Sequence, residues 1–103
     1  MLPLSKKTEK LIEKLFDSDE ERQRISKILI NKCGNNVPFC EKSTPEEIER
    51  IRFAVLKVTS EEGKFEEWVK LACLDWRDIF IAAGFANDIK VHQWWADRVL
   101  KGK

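Results

Sequence analysis

Apolar positions recur at helical spacing along nearly the whole chain, most persistently over 64–84 (KFEEWVKLACLDWRDIFIAAG). At about 100° per residue, Phe65, Trp68, Val69, Ala72, Trp76, Ile79, Phe80 and Ala83 form one stripe, and Leu71, Leu74 and Ile81 lie on the opposite side. A helix that is apolar on both sides is normally enclosed by other elements. This predicts a central helix over 64–84. Asp75 is also placed to cap a fresh helix and split the segment. The unbroken stripe favours one helix, or two nearly collinear pieces.

The remaining pattern is helical too. Ser5 can cap a helix to about Phe16, with Leu11, Ile12, Leu15 and Phe16 on one side. Ser18-Asp19-Glu20-Glu21 has the capping-box spacing, in which a hydroxyl and a carboxylate three residues on serve the free amides of a helix start. The helix it opens carries Ile25, Ile28, Leu29 and Cys33, and Gly34 is placed to stop it. A loop over 35–43 (NNVPFCEKS) follows, with Val37 and Phe39 expected to tuck inward. Thr44-Pro45-Glu46-Glu47 joins a cap, a proline at the first helical position and an early glutamate. The third helix should reach about Thr59 and bury Ile48, Ile51, Val55 and Val58. Gly63 breaks it. After Gly84 and a corner at Phe85-Ala86, Asn87 or Asp88 caps a last helix to about Leu100, with Ile89, His92, Ala96, Val99 and Leu100 inward.

No stretch alternates as a strand would. The expected fold is all-α: one domain over 1–103, an orthogonal or irregular bundle of five or six helices around the central helix 64–84. Charge changes this picture little. The 19 Lys and Arg balance 18 Asp and Glu, for a net charge of +1. Residues 1–34, 35–63 and 64–103 carry +2, −2 and +1, so no basic arm or acidic tail stands out. Such a balance makes no general field for nucleic acid or anionic lipid. Charged residues interrupt every apolar run, which argues against a membrane span. The opening MLPLSKKTEK lacks the apolar core of a secretory signal, and three cysteines, an odd number, suit a disulfide framework poorly. The expectation is a cytoplasmic protein with reduced thiols.

One part of the pattern is familiar. Arg52-Phe53-Ala54-Val55-Leu56-Lys57, then Gly63, Trp68-Val69, Asp75-Trp76-Arg77-Asp78 and Ala82-Ala83-Gly84-Phe85-Ala86 resemble a group of small, uncharacterised bacterial all-helical proteins. In that group a helix ending in AVLKL precedes a D-W/Y-R-D helix and an aromatic corner. The resemblance spans about residues 50–86. It implies a bacterial-type cytosolic helical protein and brings no site residues with it.

Candidate chemistry is sparse. Asp75, Arg77 and Asp78 form the most site-like cluster, since two carboxylates three apart project from one helix face and suit acid–base work or a hard cation. The plainer reading is a helix cap with an ion pair to Arg77, or to Arg50 or Arg52. Cys33, Cys40, Cys73 and His92 do not offer the close ligand pair of a structural zinc site. Cys33 and Cys73 sit where small core residues would serve, and a reversible Cys33–Cys40 disulfide is the other option. No metal or cofactor is therefore expected. A sole histidine on a buried stripe makes a poor base, and no phosphate-binding glycine motif occurs.

Residues 76–100 invite a helix-turn-helix reading, with Lys90, His92, Gln93 and Arg98 as readers. Asp88 and Asp97 offset their charge and two tryptophans share the helix, so nucleic acid is not favoured. The better binding lead is Trp94 with Val91 beside it and Trp95 at the margin, an interface composition if they face outward. The sequence thus favours a non-enzymatic module that works through a protein partner or homo-oligomer. The alternatives are a small enzyme or metal-binding protein at Asp75, Arg77 and Asp78, and a DNA binder.

Overall fold

The structure, a computed structural model, describes residues 4–33, 45–88 and 90–102. The expectations for Gly34, the 35–43 loop with Val37, Phe39 and Cys40, the Thr44 cap and Ile89 lie outside the described residues. Six helices make up the described chain: α1 (Lys6–Leu15), α2 (Asp19–Lys32), α3 (Pro45–Glu62), α4 (Phe65–Leu74), α5 (Trp76–Ala83) and α6 (Val91–Lys101). The all-α bundle expected from periodicity is what forms. Its radius of gyration, 12.3 Å, is that of a compact domain of this length.

Helix starts follow local capping chemistry. The Ser5 hydroxyl accepts from the Thr8 amide at 3.1 Å, and the Ser18 hydroxyl from the Glu21 amide at 3.3 Å. At the end of α5, Gly84 takes a left-handed φ of 78°, and the Phe85 amide reaches back to the Phe80 carbonyl at 2.8 Å. This Schellman-type closure satisfies a carbonyl that the helix leaves free and drives Phe85 into the core, where it is fully buried.

The 64–84 segment differs from its expectation in two ways. It is two helices, because Asp75 is extended (φ −153°, ψ 97°) and its carboxylate caps α5 by accepting from the Arg77 amide. The stripe keeps its phase across that one residue, so Phe65, Val69, Ala72, Ile79, Phe80 and Ala83 are all buried although the helix is broken. Nor is the segment enclosed. Leu74 and Ile81 are 76% and 66% exposed, and of the opposite set only Leu71 packs against the core. Two short helices each lay one side on the bundle and leave the other to solvent.

The enclosed helix is α3. It touches α1, α4, α5 and α6, and every residue from Ile51 to Leu56 is buried. Its arginines are absorbed rather than displayed. Arg52, 2% exposed, donates from Nε to the Cys33 carbonyl at 3.0 Å, at the end of α2, where the helix dipole favours a cation. The Arg50 guanidinium lies 4.1 Å from the Phe80 ring centre and donates to the Phe85 carbonyl at 2.6 Å. Burial lowers its pKa against the opposing pull of Asp88 and Glu47. Both side chains use their apolar stems as core material, and each donates to a main-chain carbonyl, although the buried Arg50 Nε has no hydrogen-bond partner of its own among the described residues.

Candidate functional site

The last helix begins later than its cap signal suggests. The Asp88 carboxylate accepts from the Lys90 amide at 2.8 Å, closing a turn ahead of α6 instead of capping its first residues, and α6 starts at Val91. His92 and Ala96 are buried and Trp94 is 58% exposed, as a 3.6-residue period requires. Val91 and Trp95 are half-buried and pack against the core. The Trp95 ring sits 6.2 Å from Phe53 and 5.9 Å from Phe85, while His92 lies 5.6 Å from Phe53. Of the three proposed contact residues, Trp94 points outward, and Val91 and Trp95 seat its helix.

The inner flank of α6 is held by a chain of polar contacts that sequence spacing gave no hint of. Lys7 of α1 donates to the Gln93 side chain and pairs with Asp97 at 2.7 Å. Gln93 donates to Glu49 of α3 at 3.0 Å, and Glu49 accepts in turn from the Ser5 hydroxyl. The hydrogen bond from Lys7 holds the Asp97 carboxyl below its ordinary range, with desolvation opposing it and the charges of Lys7 and Lys101 adding to it. His92 is buried and Gln93 is engaged with Lys7 and Glu49, so two of the four residues that a helix-turn-helix would turn towards bases face other work.

The Asp75–Asp78 turn is built as a cap. Asp75 accepts from the Arg77 amide at 3.1 Å, and the Arg77 Nε lies 3.5 Å from the same carboxylate oxygen. The Arg77 guanidinium is 5.9 Å from the Trp76 ring centre. Arg77 and Asp78 are exposed. Arg50 and Arg52, the other partners considered for Asp75, are directed to Phe85 and Cys33. Among the described residues no group of three or more His, Cys, Asp or Glu side chains is placed to hold a metal ion.

The thiols lie closer than their positions in the chain suggest. Cys33, the last residue of the α2 end, is buried, and Cys73 on α4 is half-buried. Cys73 donates to the Lys32 carbonyl at 3.3 Å and has the Cys33 thiol as a hydrogen-bond partner. Forty residues separate the two in sequence, and no local motif announces the pair.

No described helix is long and apolar enough to cross a membrane. No family model, curated protein or solved structure matches the chain.

Proposed function

We propose that the chain is a non-catalytic helical module acting through protein contacts, self-association included, with the outer face of α6 around Trp94 as the contact surface. The observation that carries this reading is the exposure of Trp94 in a chain whose other three tryptophans are half-buried. A rigid aromatic side chain held on a well-seated helix has the makings of an interface anchor, because its area is large and little freedom is lost when it is covered. The resemblance of residues 50–86 supports a bacterial-type cytosolic setting for such a module.

Solution mass measured against concentration tests the reading. The native chain is expected to exceed the monomer mass as concentration rises. Trp94→Ala is expected to weaken that association by about 2 kcal/mol, roughly thirtyfold. A native chain that stays monomeric at every concentration removes self-association as its mode of action.

A further inference from the structure

Beside Cys73 runs a groove of about 360 Å³ lined by Ile28, Lys32, Glu66, Val69, Lys70 and Cys73. That volume lies at the small end of ligand sites. Its floor is apolar, from Ile28 and Val69, and its rim carries two lysines. The rim's carboxylate, Glu66, is paired with Arg24 at 2.9 Å, so the lysines set the sign of the field at the thiol. Behind it, buried and hydrogen-bonded to Cys73, is the second thiol, that of Cys33. Its backbone is fixed on both sides, by its amide on the Leu29 carbonyl at 3.0 Å and by Arg52 on its own carbonyl.

We propose that Cys73 and Cys33 form a thiol–disulfide exchange site, with Cys73 as the attacking thiol, Cys33 as the resolving thiol and the lysine-rimmed groove as the seat of a small carboxylate-bearing disulfide. The Cys73 thiolate attacks one sulfur of the disulfide R–S–S–R. A new S–S bond forms to give Cys73–S–S–R, the S–S bond of the small disulfide breaks, and its other half leaves as RS⁻, which takes up the proton that Cys73 had released to water. Cys33 then loses its proton and attacks the Cys73 sulfur, expelling the second RS⁻, which becomes RSH. Two protein thiols are oxidised to one Cys33–Cys73 disulfide and one small disulfide is reduced to two thiols. The division of labour follows from burial: Cys73 lines the groove and is half-buried, whereas Cys33 is fully buried.

The local chemistry suits this order. The Cys33 thiol, as hydrogen-bond donor, and the Lys32 ammonium hold the Cys73 thiol below its ordinary value, down to about 7, against the opposing effect of burial. A thiol whose pKa lies near ambient pH is the most effective attacker in exchange. This reactivity is stoichiometric and separate from the contacts made by α6. The disulfide it forms would tie α2 to α4.

The test uses the full chain carrying Cys40→Ser, so that two thiols remain. It is incubated with glutathione disulfide, quenched by alkylation and mapped by peptide mass. A Cys33–Cys73 linked peptide pair is expected. Adding Cys33→Ser should leave the mixed disulfide on Cys73, and adding Cys73→Ser should leave Cys33 unmodified, with helicity by circular dichroism confirming that each variant is folded. Alkylation of the unsubstituted native chain needs no variant: Cys73 should label with a half-maximal rate near pH 7 while Cys33 stays protected. Replacing Lys32 and Lys70 by Gln should slow the reaction several-fold more with glutathione disulfide than with neutral hydroxyethyl disulfide, which feels only the rise in the Cys73 pKa that loss of Lys32 brings. An unreactive Cys73, a Cys33 that labels first, or a Cys73 mixed disulfide that persists beside an intact Cys33 overturns the exchange site. Equal slowing with both disulfides overturns the groove as its anion seat.

Discussion

Helix α3 carries 8 charged residues in 18 and α6 only 3 in 11, yet α3 is the one that ends enclosed. In α3 two arginines are drawn into the bundle, one beneath the end of α2 and one over Phe80. In α6 a tryptophan is left in solvent. The difference lies in the number of neighbours. Four helices pack on α3, so even its polar positions meet protein, whereas α6 leans on α1 and α3 along one side only. Residue type decides what a position can tolerate, and topology decides what it meets.

Substitutions can break that contrast, beginning where most is buried. Phe53 is fully buried and borders both His92 and Trp95. Phe53→Ala is expected to lower unfolding free energy by about 4 kcal/mol through cavity formation, read from the urea midpoint. Arg52→Met keeps the apolar stem but strips the donor from the Cys33 carbonyl. About 2 kcal/mol should be lost, the cost of a bare buried acceptor. An unchanged midpoint would mean that Arg52 is displayed rather than absorbed. Asp75→Ala removes the α5 cap and should cost about 1 kcal/mol in the same measurement. Trp94→Ala should leave stability within about 0.5 kcal/mol of the native chain while weakening association. A large destabilisation would show that α6 is enclosed as α3 is.

The smallest effect concerns acid. Because the folded Asp97 carboxyl titrates below its ordinary value, its pairing with Lys7 stabilises the fold above the unfolded carboxylate pKa. That contribution is lost as pH falls through the lowered one. Acid titration of Asp97→Asn should therefore show a shallower loss of stability below about pH 4, with little difference at neutral pH.

The caps at Ser5, Ser18 and Asp75 could be read in the sequence because each involves a hydroxyl or carboxylate and an amide two or three residues away. The buried stripe of α4 and α5 was equally legible, being a matter of period. The break at Asp75 was harder to read, since one extended residue leaves the phase of the stripe intact. The central role of α3 was hidden by Arg50 and Arg52, whose charges suggest solvent although their stems and hydrogen bonds suit the core. Trp94 followed from the helical period of α6. The Cys33–Cys73 pair and the Lys7–Gln93–Glu49 chain join residues 40 or more positions apart, and a sequence read locally contains no signal for either.

That polar chain also bears on how the molecule comes together during synthesis. Lys7 and its partner Gln93 are 86 residues apart. At ribosomal rates of about 5–20 residues per second, roughly 4–17 s pass between their emergence. Helices α3, α4 and α5 are close in the chain and able to pair early, whereas α1, which can rest on α2 and α3 before then, gains its Gln93 and Asp97 contacts only once α6 emerges. The seam between α1 and α6 is thus the final closure of the bundle. A nascent chain stalled before α6 would hold α1 without its latch.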